Sequence, residues 1–490
     1  MKAARLALVA ALLLGAASVF SFAPFAFSLL PALTLAGLFA LWQREQSARA
    51  AAAVGFAFGA GFFGAGVSWV FIALHTFGGM PGVLAAIGTA GFCGLLALYP
   101  ALAGWLSTHW TPASSLPRLI AAAAAWTLCE WLRSWLLSGF GWLSVGYAQV
   151  QSPLAGYAPI GGVFLTGFGL ALSAALLVAI VQAAEAHRPA RAAVLAALIA
   201  CVWLGGYALS TLEWSRPSSA PLSVSLVQGN VEQDLKFDPE YRERTLAVYA
   251  DLVTQARGRL IVLPESALPM FADEVPADYV ARLRNIALAH GGDLLLGLFY
   301  FEPRERADDD DRYFNSVVSI GNSMTQVYRK HHLVPFGETI PAKPVMGWFI
   351  RNVLSIPLAD QTPGPAFQEP FAAAGERLAV NICYEDAFGG ELARRAMRAV
   401  ETSRPMLRAT NTGITSIVDH RGAQQGRLPW FTRGILEGTI SGRTGTTPYV
   451  RFGDALVAAL AMLVFGTAIF AARRSGNRAA SGLFRERRIQ

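Results

Sequence analysis

Arg216-Pro217-Ser218-Ser219-Ala220-Pro221 divides this 490-residue sequence into two chemically different parts. Before it the last apolar block is Ala192–Leu209; after it Ser223–Val227 reads as a strand that ends in Gln228-Gly229-Asn230. A Pro- and Ser-rich break between a helix-length apolar block and a strand signal marks a domain boundary. Toward the N-terminus, further apolar spans fall at Leu6–Phe20, Phe25–Trp42, Ala50–Leu74, Val83–Leu106, Leu119–Leu136 and Gly161–Val181. Beyond the polar segment comes one more, Ala455–Ala472. Each approaches the roughly 20 residues with which a helix crosses a ~30 Å hydrocarbon layer. Composition agrees, with 54% hydrophobic and 15% charged residues, against about 25% charged in an ordinary globular chain. Mean hydropathy is +0.41. These values exclude a wholly cytosolic or a disordered protein, and four cysteines exclude a disulfide scaffold.

Basic residues set the expected orientation, because Lys and Arg gather on cytoplasmic flanks. With Lys2 and Arg5 inside, the inside loops carry Arg44 and Arg49, then Arg118, then Arg188 and Arg191. The tail adds Arg473, Arg474, Arg478, Arg485, Arg487 and Arg488, while Arg133 is an exception close to a boundary. The net charge of +7 is thereby assigned to topology, and no nucleic-acid partner is expected. The first span imitates a signal peptide, yet another follows after only Ser21-Phe22-Ala23-Pro24, so it reads as a retained helix. The expected organisation is a seven-helix bundle over 1–215, an extracytoplasmic domain over 222–450, a final span over 455–472 and a basic cytoplasmic tail over 473–490.

Inside the polar segment strands alternate with helices, the pattern of an α/β layered domain. Leu260–Leu263, Asp293–Leu298 and Leu378–Ile382 read as strands, and Tyr241–Arg257, Asp278–His290 and Glu391–Glu401 as helices. Phe314–Ile320 and Met324–Arg329 flank Gly321-Asn322 as a hairpin, and Met406–Thr410 with Ile414–Val418 suggests a second. Three polar residues stand where strands stop: Glu265, Lys330 and Cys383. Singly, these are a capping glutamate, a solvated lysine and a buried small hydrophobe. Together they offer a base, an oxyanion donor and a thiol nucleophile. His331-His332 lacks a third ligand at zinc spacing, and Asp308–Asp311 lacks the glycine and closing glutamate of a calcium loop. No metal or cofactor is expected. Gly55, Gly59, Gly61, Gly64 and Gly66 read as close-packing positions between membrane helices.

Pro264-Glu265-Ser266, Lys330-His331-His332-Leu333-Val334-Pro335-Phe336-Gly337-Glu338 and Cys383-Tyr384-Glu385-Asp386 resemble the Glu-Lys-Cys signatures of the nitrilase superfamily, and within it the apolipoprotein N-acyltransferase family. Glu130-Trp131-Leu132-Arg133, Gly139–Leu143, Gly146-Tyr147, Gln228-Gly229-Asn230 and Leu407-Arg408-Ala409-Thr410-Asn411 extend the likeness across nearly the whole chain. The resemblance implies a polytopic helical membrane protein of about eight spans with an inserted α-β-β-α sandwich, in a bacterial inner membrane with its catalytic domain periplasmic.

It further implies that Glu265 takes the proton of Cys383, that the thiolate attacks the sn-1 ester of a phospholipid, and that Lys330 stabilises the oxyanion. Phosphatidylethanolamine is the expected donor, and the α-amine of a diacylglyceryl apolipoprotein the acceptor. Glu338, Tyr384, Glu385 and Phe237 are implied as substrate-positioning or supporting groups. Membrane lipids are the surroundings, and a monomer is expected. Two departures from the family pattern stand out. Phe237 occupies a position that is often tryptophan, and after Arg395 the chain runs straight into Ala396–Glu401, without the strand and Asn-Asp-Ala-Trp-Phe-Gly-type loop that relatives carry. A membrane-anchored amidase and a truncated inactive copy therefore stay open as alternatives.

Overall fold

The structure is a computed structural model that describes residues 2–77, 79–136, 139–232, 235–236, 238–303, 311–334, 338–339, 361–382 and 391–486; for 77, 391–395 and 475–486 it describes the backbone alone. The chain forms two compact units, 1–213 with 447–490, and 214–446.

The first unit is helical: α1 Lys2–Ser18, α2 Leu30–Arg44, α3 Ala48–Gly66, α4 Gly82–His109, α5 Leu116–Arg133, α6 Ala158–Glu185 and α7 Pro189–Ser210, with a closing helix Ala455–Glu486. Among the described residues six helices are long and apolar enough to cross a membrane: Lys2–Ser21, α3, α4, Pro153–Glu185, α7 and Ala455–Arg474. Helices also form at the other two expected spans, but α2 has only 15 residues and α5 carries Arg118, Glu130 and Arg133. Serine caps start two of these helices: Ser47 Oγ accepts from Ala50 N–H, and Ser115 Oγ from Arg118 N–H.

Glycine lets α1, α3 and α4 approach closely. A Cβ on Gly61 would lie 2.0 Å from Leu12 O, one on Gly55 2.3 Å from Pro100 O, and one on Gly59 2.7 Å from Ala97 Cα. Gly66 faces the Leu143 side chain instead, and Gly64 faces open space, so Gly64 is not a packing position.

Several expected boundaries move. Ala50–Leu74 is not one span: α3 stops at Gly66, where Val67 leaves helical geometry, and a short turn Val70–Ile72 and a wider turn Ala73–Phe77 follow. The closing helix continues past Ala472 to Glu486, so the residues after the expected span are helical as well. Arg118 is buried, not in a loop, where its guanidinium donates to Trp42 O, Glu45 O, Thr111 O and Thr111 Oγ1. Arg133 is buried too, bound to Phe140 O, Trp142 O and Ser144 Oγ and 3.9 Å from Glu130, whose Oε1 accepts from Val145 N–H.

The second unit holds a six-stranded sheet with strands β1 Leu222–Gln228, β2 Leu260–Val262, β3 Asp293–Glu302, β4 Arg312–Gly321 and β5 Gln326–Arg329, followed later by β6 Phe371–Ala373, β7 Glu376–Leu378, β8 Met406–Arg408, β9 Ser416–Val418, β10 Gln424–Arg427 and β11 Gly434–Ile440. The large sheet runs β11-β1-β2-β3-β4-β5, with β1, β2 and β3 parallel and the outer pairings antiparallel. Parallel neighbours need crossovers, and two helices supply them: α8 Arg242–Gln255 between β1 and β2, and α9 Ala277–Ala289 between β2 and β3.

Strand alternation then sorts the apolar side chains by face. Val227, Ile261, Leu294, Leu296 and Leu298 pack with Tyr249, Leu252 and Leu283 on the helical side. Leu222, Val224, Leu226, Leu260 and Leu295 pack with Phe371, Ala373 and Ile417 on the other. That second layer consists of the hairpin β6–β7 and the sheet β10-β9-β8, against which α10 Glu391–Thr402 rests. The result is a helix–sheet–sheet–helix sandwich, as the resemblance implied.

Both expected hairpins form, β4–β5 and β8–β9. The expected strand Leu378–Ile382 does not: β7 ends at Leu378, and residues 379–382 join no ladder. Nor is Arg216–Pro221 a free linker. Arg216–Pro217 pairs with Arg443–Thr444, and Arg443 donates to Ser215 Oγ and O.

Candidate active site

β2 delivers Glu265. Strand Leu260–Val262 passes through Leu263-Pro264 into a turn held by Leu263 N–H on Leu295 O and Ala267 N–H on Pro264 O. Ser266 takes a left-handed φ of 46° to complete it. The neighbouring strand makes room with Gly297, where a Cβ would lie 2.5 Å from Pro264 O, 2.6 Å from Ser266 N and 2.9 Å from Glu265 Cα. A side chain at 297 would therefore displace the glutamate.

Lys330 comes off the end of β5, anchored by its N–H on Asn315 O and by Gly364 N–H on its own carbonyl. Its side chain is fully buried, yet its ammonium reaches two carboxylates: Nζ lies 2.7 Å from Glu338 Oε1 and 3.3 Å from Glu265 Oε1. Those carboxylates are 14% and 30% exposed, so the lysine is walled in while Glu265 still meets solvent. A buried ammonium without such partners would be costly. Glu338 is itself positioned, its Oε2 accepting from Val334 N–H at 2.8 Å.

Two more groups complete the cluster. Asn315, buried on β4, donates from Nδ2 to Glu265 Oε1 at 2.6 Å and to Glu338 Oε1 at 3.4 Å, and among the described residues its own Oδ1 has no hydrogen-bond partner. Lys236 is also buried and donates from Nζ to the backbone oxygen of Glu265 at 3.1 Å. Sequence reasoning missed both. The signal for Asn315 was available: an amide inside the apolar run Phe314–Ile320 needs a partner once buried.

Glu265, Lys330 and Glu338 thus converge from separate parts of the chain. The remaining candidates, Cys383, Tyr384, Glu385 and Phe237, lie outside the described residues, although Ile382 just before the cysteine is buried. His331 Nδ1 donates to Gly364 O at 2.7 Å. Among the described residues no group of His, Cys, Asp or Glu is arranged to hold a metal. Asp308–Asp310 lie outside the described residues. Chemically, a partly exposed carboxylate can accept a proton, and the buried ammonium beside it can stabilise a nearby oxyanion.

Residues 14–176 match the apolipoprotein N-acyltransferase N-terminal domain, and residues 223–396 the carbon-nitrogen hydrolase domain. The chain is 43% identical to the apolipoprotein N-acyltransferase of Nitrosomonas europaea, over 95% of this chain and 98% of that one. It is 39% identical to that of Chromobacterium violaceum, over 91% and 90%. It is 40% identical to that of Methylococcus capsulatus, over 93% of each. Among solved structures, a mutant of the Nesterenkonia AN1 amidase of the nitrilase superfamily aligns with 47% of this chain and 92% of its own, at 17% identity and a TM-score of 0.30. The hydrolase match ends at residue 396. From these full-length likenesses, the chain belongs to the apolipoprotein N-acyltransferase family, membrane acyltransferases of lipoproteins with a nitrilase-like domain.

Proposed function

We propose that Glu265, Lys330 and Cys383 carry a two-step acyl transfer. Glu265 removes the Cys383 proton, and the thiolate attacks the sn-1 ester carbonyl of a phospholipid. The tetrahedral oxyanion is stabilised by Lys330; the carbonyl re-forms, the lysophospholipid alkoxide leaves with the proton, and a thioester remains. The α-amine of a diacylglyceryl-cysteine lipoprotein then attacks the thioester, Glu265 accepts its proton, and an amide forms as the thiolate departs. Two substrates used in turn at one site give ping-pong turnover.

The observation that carries this reading is the fully buried Lys330 bridging Glu265 and Glu338: the acid–base group and the cation are preorganised before substrate arrives. Glu338 positions the lysine, and Tyr384, Glu385 and Phe237 act as substrate-positioning or supporting groups. Phosphatidylethanolamine is the donor, the membrane is the bacterial inner membrane, the domain over 222–450 is periplasmic, and the working unit is a monomer.

The test is incubation of purified protein with phospholipid labelled in its sn-1 chain. A hydroxylamine-labile protein label that disappears in Cys383→Ser supports the thioester, and its absence from wild type overturns it. Added diacylated lipopeptide then distinguishes N-acylated product from the free fatty acid that an amidase-like hydrolysis would release.

A further inference from the structure

We infer that the tip Pro429-Trp430-Phe431-Thr432 is an interfacial anchor, which seats the site end of the nitrilase-like domain in the headgroup–acyl boundary of an anionic bilayer. The inference rests on the proposed lipid substrate and goes beyond the reacting residues.

The tip is built to expose aromatic surface. Trp430 is 50% and Phe431 72% exposed, with ring centroids 6.3 Å apart. Phe431 holds a left-handed φ of 53°, uncommon for a bulky residue and kept only where surroundings enforce it. The enforcement is visible. Gln228, fully buried, donates from Nε2 to Pro429 O, Thr432 O and Thr432 Oγ1, while its Oε1 accepts from Thr415 N–H and Thr410 Oγ1. Asn230 Nδ2 donates to Phe431 O, and Phe431 N–H to Thr412 O. Asn411 braces the base, its Oδ1 accepting from Val231 N–H and Tyr249 OH and its Nδ2 donating to Val231 O. The Gln228-Gly229-Asn230 and Thr410-Asn411 strings, which the chemistry does not use, thus hold two aromatic rings rigidly outward.

Position and charge select the occupant. β1 ends at Gln228, paired with Gly434 just after the tip, and the parallel β2 leads from its own carboxyl end to Glu265. Tip and glutamate therefore share one end of the sheet. A site that cleaves an ester at the headgroup–acyl boundary must bring that end to the boundary. Arg427 and Arg433 flank the rings and are exposed, Arg433 at 3.8 Å from the exposed Asp251, so aromatic bodies are framed by cations, the pattern that suits an interface with anionic headgroups.

The experiment uses the full chain in nanodiscs, with an environment-sensitive fluorescent amino acid in place of Phe431. The expected result is a blue shift and at least twofold quenching by lipids spin-labelled near the headgroup, stronger in anionic discs and weakened by salt. Equal iodide accessibility with and without a bilayer overturns the inference, as does shielding that arises only on adding diacylated lipopeptide. In parallel, Trp430→Ser/Phe431→Ser should lower the ratio of acyl transfer from vesicles to that from a dispersed short-chain phospholipid by at least fivefold; an unchanged ratio counts against the anchor. If wild type transfers from neither donor, the proposed function fails, while the quenching still judges the tip.

Discussion

Each unit of this protein buries cationic side chains, and Arg118 and Arg133 in one are met differently from Lys330 in the other. Arg118 and Arg133 in the helical unit are met mainly by backbone carbonyls and hydroxyls: Trp42 O, Glu45 O, Thr111 O and Oγ1 for the first, Phe140 O, Trp142 O and Ser144 Oγ for the second. Lys330 in the other unit is met by two carboxylates, one of them open to solvent. Met mainly by neutral acceptors, a guanidinium ties chain segments together and has little left to offer a reactant. Held between carboxylates, an ammonium sits in a charge arrangement that a developing oxyanion can alter. Burial of charge alone therefore does not mark a site; the kind of partner does.

Substitutions can break this contrast. The largest effect is expected for Lys330→Met: acyl transfer per folded molecule should drop by about a thousandfold, measured with labelled phospholipid on the correctly folded fraction. Arg118→Met should do the reverse. It leaves several buried acceptors unpaired, with about 3 kcal/mol or more of stability lost, seen as a lower unfolding temperature in detergent, while turnover of the folded fraction stays within about threefold of wild type. If Arg118→Met abolished turnover of well-folded protein, the distinction between lock and site would be lost. Asn315→Ala should lie between them, lowering kcat by about 30-fold through misplacement of Glu265, with partial recovery in Asn315→Ser. A smaller loss of activity than that of Asn315→Ala is expected for Gly297→Ala. Its Cβ would press on the Glu265 turn, costing about 1–3 kcal/mol and reducing kcat/KM about tenfold. A crystal structure of that variant with Glu265 unmoved would contradict the steric argument.

Much of the architecture was legible because it follows from periodicity. Helix-length apolar blocks announced the membrane helices, and alternation with Gly321-Asn322 announced the β4–β5 hairpin. Glu265 and Lys330 could be picked out because they stand where strands stop. What stayed hidden depends on tertiary partners. Nothing local shows that Arg118 folds back onto the end of α2, or that Arg216–Pro217 finds Arg443–Thr444 across the whole domain. The end of α3 at Gly66 was missed because the apolar run continues beyond it unchanged. The Leu378–Ile382 strand was misjudged because apolar residues suit a sandwich interior with or without a ladder: Val380 packs into the second-layer core while unpaired. Asn315 was hidden because a single amide in a strand has several uses, and only its two carboxylate neighbours choose among them.

The pairing of β1 with β11 has a consequence for biogenesis. The strand that opens this unit and the strand that ends its sheet are hydrogen-bonded neighbours along seven residue pairs. At about 5–20 residues per second, the ribosome needs on the order of 10–40 s to supply β11 after β1 has emerged. Throughout that interval one edge of β1 is an open template for adventitious strand pairing. That edge stays exposed until β11 is made, and the helix after Thr447 is translated only once the strand that closes it has been made.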